Sequence, residues 1–342
     1  MYAYTEELCK RIRDFSPRAE GRVVDTVYFG GGTPTLLPID CFERLLRTLA
    51  DCFCISNDVE ITAECNPATI DKTGLSRLRA LGVNRLSIGL QSANDNELLA
   101  LGRLHNYSDL VVVFKDAREV GFDNVSVDLM YGIPEQTPES FEKTLREVCR
   151  LAPEHISAYG LKIEEGTVFG KIADTLTLPD EDAEYDMYCL CERILAENGY
   201  CRYEISNFAK EGKESRHNLK YWRLEDYIGF GVAAHSCFDG ERFGNSRDMR
   251  AFLRGEDITE ESAEISQKER IAEYVMLRAR LGEGISLAEY REMTGRELKS
   301  DFPMLERYIK EGFFFEKDEY VAFTTKGFFV SNSILSEMLS FE

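Results

Sequence analysis

Five apolar, β-rich runs, at 23–29, 59–63, 85–89, 125–129 and 156–159, each end on glycine or a polar residue. Stretches with helical periodicity lie between them, at 41–54, 72–81, 108–120 and 138–151. No other feature constrains the fold as strongly. Near-continuous apolar strands alternating with helices require a parallel sheet covered by helices, because parallel neighbours need long crossovers. A spacing of about thirty residues per strand–helix unit is that of a barrel or part of one. The expected class is α/β, a partial (β/α) TIM-type barrel over residues 1–160.

The rhythm is lost after residue 160. Residues 161–258 read as an α+β extension, with a helix at 180–198, a strand-like 201–205 and a stretch to 247 rich in glycine and aromatics. Residues 259–342 read as a third module. It has helices at 267–280, 287–293 and 299–311, a hairpin from 313–316 and 320–323, and a final helix, an order that resembles a winged helix. Nucleic-acid binding does not follow, since residues 260–342 hold 11 Lys and Arg against 17 Asp and Glu.

The whole chain carries a formal charge of −20, a field that repels nucleic acid and anionic lipid. With no apolar run long enough to cross a bilayer and no signal-peptide pattern, a cytoplasmic location is expected. The ten cysteines are then reduced thiols rather than a disulfide framework. The pairs Cys52/Cys54 and Cys189/Cys191, in segments that read as helical, lack the spacing of a zinc knuckle.

In parallel strand–helix folds, ligands meet the carboxyl ends of the strands. Those ends supply Gly30, Gly31 and Gly32 with Thr33, then Glu64 and Asn66, Gln91, Asp128 and Tyr159, with Arg103 within reach. Carboxylates, an amide, a cation and bare backbone suit a ligand with amine, carboxylate and hydroxyl groups. The sequence Gly229-Phe230-Gly231-Val232-Ala233-Ala234, with Asp248 beyond it, matches a dinucleotide fingerprint but lies outside any strand–helix–strand unit.

FGGGTPT, ITAECNP, RLSIGLQS, LGRLHN, VDLMYGIP and HISAYGL, in this order, resemble the radical S-adenosylmethionine enzymes of the oxygen-independent coproporphyrinogen III oxidase family. The resemblance implies a radical SAM barrel in which Gly31, Gly32, Thr33, Glu64, Gln91, Arg103, Asp128 and Gly160 contact S-adenosylmethionine. HNxxYW, present as His217-Asn218-Leu219-Lys220-Tyr221-Trp222, is similar to the mark of the HemW branch, the heme chaperones. It implies heme contact by His217, Tyr221 and Trp222, with His217 on the iron. Heme-acceptor proteins are the implied partners, and a homodimer is a further expectation. His235 is a second candidate ligand that reads first as structural. Two other readings stay open: a coproporphyrinogen III dehydrogenase that oxidatively decarboxylates propionates, and a non-catalytic binding module.

The resemblance also implies a [4Fe–4S] cluster held by C-x₃-C-x₂-C, and none of the ten cysteines has that spacing; Cys9 stands alone. The chain opens with MYAYTEELCKRIRDF, helical in pattern with Tyr4, Leu8 and Ile12 on one face. A strand–helix barrel should open with a strand. The expectation is therefore an N-terminally incomplete member, with in-frame upstream codons encoding an apolar strand and the cluster motif.

Overall fold

The repeat folds into five parallel strands: β1 (Val23–Phe29), β2 (Cys54–Cys65), β3 (Arg85–Gln91), β4 (Val125–Tyr131) and β5 (His155–Gly160). The computed structural model describes residues 1–340. Two short strands, β6 (Cys201–Arg202) and β7 (Asn207–Ala209), extend the sheet antiparallel beyond β5. The order β1-β2-β3-β4-β5-β7-β6 makes a curled half-barrel with β1 at one margin.

The helices are α1 (Tyr2–Phe15), α2 (Ile39–Cys52), α3 (Lys72–Ala80), α4 (Asp95–Ala100), α5 (Tyr107–Glu119), α6 (Pro138–Leu151), α7 (Val168–Lys171) and α8 (Glu181–Glu197). Apolar faces of α2, α3, α5, α6 and α8 bury against one face of the sheet. Phe42, Leu75, Val113, Phe141 and Ile194 meet Ile61, Leu86, Ile88, Val127 and Ile156 in a single core. Helix ends follow local chemistry: Asn106 and Thr137 form capping boxes at α5 and α6, and Pro138 takes the first turn of α6.

The strands are not apolar throughout, as their sequence suggested. Alternate residues are polar and share the opposite, concave face: Thr26 and Tyr28; Glu60, Thr62 and Glu64; Arg85 and Ser87; Ser126 and Asp128; His155, Ser157 and Tyr159. Helices α2, α3, α5, α6 and α8 cover the convex face, so that face must be apolar.

Helices α9 (Arg216–Arg223) and α10 (Met249–Leu253) flank the antiparallel strands β8 (His235–Phe238), β9 (Glu241–Asn245) and β10 (Thr259–Glu264). Helix α1 packs on α2 through Cys9, Ile12 and Leu45, and Tyr4 lies 4.8 Å from the Phe252 ring. The last module holds α11 (Gln267–Arg278), β11 (Ile285–Ser286), α12 (Leu287–Thr294), α13 (Leu298–Asp301) and α14 (Leu305–Lys310). Strands β12 (Phe314–Lys317) and β13 (Tyr320–Phe323) follow, then α15 (Thr325–Phe329) and α16 (Ser331–Leu339). Tyr188 of α8 belongs to its core, joining module and barrel.

Three local expectations are corrected. Cys54 opens β2 rather than closing a helix, because Val23 of β1 pairs with it. The 299–311 helix is two, divided at Phe302-Pro303, since a proline disfavours the helical conformation of the residue before it. The final helix is likewise divided at Val330.

Candidate functional site

At the carboxyl ends of the strands, β1 runs into three glycines for two separate reasons. A Cβ on Gly30 would lie 2.7 Å from the Tyr28 ring and 3.1 Å from Glu64 Oε1. Gly31 has φ +111°, a conformation that other residues avoid, and turns its N–H to Glu64 Oε2 at 3.2 Å. A side chain at Gly31 or Gly32 would meet nothing within 4 Å, so this backbone borders open space. Thr33 follows, opening a short turn at Pro34–Leu36.

Glu64 also accepts from the Tyr28 hydroxyl at 2.9 Å. Burial raises its pKa, with Asp128 adding to the rise and the Tyr28 and Gly31 donors opposing it. Asp128 is raised first by burial, against which stand hydrogen bonds from Ser157, Ser87 and Ser126 and the charge of Arg85. Ser87 Oγ lies 3.1 and 3.2 Å from its two oxygens. Gln91, 3 % exposed, adopts φ +78° and accepts from the Tyr159 hydroxyl at 2.9 Å. Such a backbone in a buried non-glycine residue is strained and survives only where its surroundings over-determine it.

Arg103 is half-buried, and its charge reaches Tyr159. At Gly160 an added Cβ would come within 3.1 Å of the Tyr131 ring. Asn66 serves a local purpose, accepting from Ala68 N–H to cap the turn at Pro67–Thr69. Tyr28, Glu64, Asp128 and Tyr159 thus share one face, with Tyr28–Glu64–Gly31 and Tyr159–Gln91 as bonded groups, whereas Gly160 follows the opposite parity beside Tyr131.

HNxxYW occupies α9, which docks against β1 and β2 at the amino-terminal half of the concave face. Glu60 accepts from the N–H groups of Arg216 and His217 at 3.3 and 3.2 Å, and Ser215 caps Asn218. Asp25 binds Lys220 Nζ at 2.9 Å. His217 Nδ1 lies 2.9 Å from Thr26 Oγ1 and Nε2 lies 2.8 Å from the Tyr221 hydroxyl, one helical turn on. The imidazole stacks on Tyr28, centroids 5.0 Å apart. Burial first, then the charges of Lys220 and Arg85, depress its pKa to about 4, so the ring is neutral at pH 7. Tyr221 is 40 % exposed and Trp222 half-buried.

Sequence reasoning missed a chain of contacts beneath this helix. Ser126 Oγ meets His155 Nδ1 at 2.7 Å, His155 Nε2 meets the Tyr203 hydroxyl at 2.8 Å, and that hydroxyl accepts from Ser215 N–H at 3.3 Å. It also missed Tyr28, Thr26, Glu60 and Arg85. Period-two alternation in EITAEC, RLSIGLQ and HISAYG was the available signal. His235 is exposed on β8, its ring against Gly244 and apart from these contacts. Asp248 caps α10, and Gly229–Ala234 lies between α9 and β8, so the dinucleotide pattern has no supporting architecture. A cleft of about 470 Å³ lies between the loops after β1 and β2, lined by Thr35, Phe42, Pro67 and Gly74 rather than by the strand-end set.

The open backbone at Gly31 and Gly32, with Glu64, Gln91 and Asp128 on the adjoining face, fits S-adenosylmethionine. A [4Fe–4S] cluster does not fit the residues of this chain. Among the described residues no three His, Cys, Asp or Glu side chains are placed to hold a metal ion. Among the described residues, too, no helix is long and apolar enough to cross a membrane.

Residues 3–148 match the family model of the radical SAM superfamily, and residues 265–330 match the HemN C-terminal domain. The heme chaperone HemW of Bacillus subtilis is 35% identical over 325 residues, covering 92% of this chain and 85% of that protein. HemW of Escherichia coli is 34% identical over 342 residues, 98% and 90% of the two chains. Among solved structures, coproporphyrinogen III oxidase (HemN) from Escherichia coli, a radical SAM enzyme, superposes with a TM-score of 0.85. At 23% identity it covers 99% of this chain and 83% of its own, a likeness of fold.

Proposed function

The chain belongs to the HemW heme-chaperone family on a radical SAM scaffold, and from that premise we propose that it binds heme at α9 and hands it to acceptor proteins. His217 carries this reading. A metal ligand must be an unprotonated imidazole with a fixed ring, and here burial keeps the ring neutral while Thr26 and Tyr28 fix it. Nε2, now bonded to Tyr221, would be the nitrogen to hold heme iron, while the Thr26 contact at Nδ1 orients the ring. Tyr221 and Trp222 then offer flat surface to a porphyrin.

Gly31, Gly32 and Thr33 hold the methionine end of S-adenosylmethionine, with Glu64, Gln91, Arg103, Asp128 and Gly160 around the rest. Bound there, S-adenosylmethionine is the source of the superfamily's radical chemistry. The strand-end residues bind and orient it, and burial keeps water from Gln91. A cytoplasmic location and a homodimer are part of the same proposal.

Heme titration of wild type against His217→Ala is the test. Affinity should fall at least about tenfold with a shifted Soret band; an unchanged spectrum and affinity would remove His217 from the heme site.

A further inference from the structure

Arg85 opens β3 and is the largest of the fully buried side chains, 2 % exposed. Its Nε is buried without a hydrogen-bond partner among the described residues. Buried guanidinium groups are normally paired, because an uncompensated charge in the interior is costly. The residue beside it in register on β2 is Thr62, whose hydroxyl is also buried and unpartnered. Cross-strand neighbours share a face, so both orphaned groups look onto the concave side.

The position is central. The Arg85 charge is felt by Tyr28, Asp128, His155, Tyr203 and His217, and none of them bonds it. Two residues before Ser87, it sits roughly 7 Å toward the amino ends from the layer that holds Glu64. That places it on the α9 side of the strand-end set. A planar fork with a hydroxyl beside it matches one ligand chemistry best, a carboxylate taken by two parallel N–H bonds and a third from oxygen.

We propose that Arg85 and Thr62 form a carboxylate site for the ligand on the concave face, and that a porphyrin propionate fills it. The proposal rests on the heme reading of α9. S-adenosylmethionine is the other carboxylate source that this face would admit.

Full-length wild type, Arg85→Gln, Arg85→Lys and His217→Ala are titrated with heme, heme dimethyl ester, S-adenosylmethionine and its decarboxylated analogue. Wild type should prefer heme to the ester by about tenfold or more. Arg85→Gln should abolish that preference while leaving ester affinity in place, with Arg85→Lys between them. His217→Ala should weaken heme and ester alike, which separates the iron contact from the propionate contact.

A wild type that binds the ester as tightly as heme overturns the proposal, whether or not the Gln variant folds. Equal loss of heme and ester in Arg85→Gln also overturns it, since that is what a packing role alone would give. If Arg85→Gln instead loses discrimination between S-adenosylmethionine and its decarboxylated analogue, the carboxylate is the cofactor's and the propionate assignment falls. Failure of wild type to bind either porphyrin removes the heme reading itself.

Discussion

The two faces of the half-barrel are built from the same strands, one residue apart, and obey opposite rules. On β3, Leu86 and Ile88 enter the convex core, fully buried among α3, α5 and α6. Arg85 and Ser87, their neighbours, point the other way, where Ser87 serves Asp128 and Arg85 keeps a buried Nε without a partner. The convex face gains its free energy from apolar area removed from water. The concave face holds carboxylates, imidazoles and a guanidinium at a cost in desolvation that ordinary packing does not require. Apolar packing and buried polar groups are thus divided by strand parity.

Replacing Leu86 by alanine should break the convex side with the largest effect, about 2–5 kcal/mol of unfolding free energy. Chemical denaturation is the check, and Ser87→Ala, one residue on, is the control. The serine variant should lose far less stability but shift the titration of Asp128 upward, because a donor to its carboxylate is gone. Comparable losses in the two variants would mean that the faces do not divide in this way.

The parity rule explains what was readable in the sequence. Convex residues recur at strand positions between amphipathic helices, so strand order and the 138–151 helix emerge from local pattern, and α6 spans those residues. HNxxYW and the glycines stand out as contiguous motifs. The concave contacts are not contiguous: Thr26 meets His217 across 191 residues, and His155 meets Tyr203 across 48. No local periodicity records such pairs. β2 is longer than the 59–63 run suggests for a related reason: Ser56, Asn57 and Asp58 break the apolar pattern, and 54–58 becomes strand through the pairing of Cys54 and Ile55 with β1.

The pH response of His217 sharpens the comparison at intermediate size. Its pKa falls to about 4 in the folded chain, from an ordinary value near 6.5. Between those values the unfolded state binds a proton that the folded state refuses, so stability declines as pH drops through that window, by about 3 kcal/mol in all. Above it the contribution is constant. Heme affinity, if His217 is the ligand, should stay level from neutral pH to about pH 5 and fail near pH 4, whereas a solvated histidine would fail around 6.5. Spectroscopic heme titration across that range, with His217→Ala as reference, reads the midpoint; a midpoint near 6.5 would contradict the buried geometry.

The smallest effect belongs to Tyr28, which touches both halves of the concave face. Its hydroxyl donates to Glu64 and its ring stacks on His217. Phenylalanine keeps the stack and deletes the donor, so the stability cost should be only about 1 kcal/mol. The donor lowers the pKa of Glu64 against the rise from burial, so its loss moves that pKa further up. S-adenosylmethionine affinity should therefore weaken several-fold and fall off at higher pH than in wild type, while heme affinity holds. Tyr28→Leu, which removes ring and hydroxyl together, should weaken both ligands. Parallel calorimetric titrations of the two variants decide the matter. If phenylalanine impairs heme as much as S-adenosylmethionine, the two halves do not act through separate atoms of Tyr28.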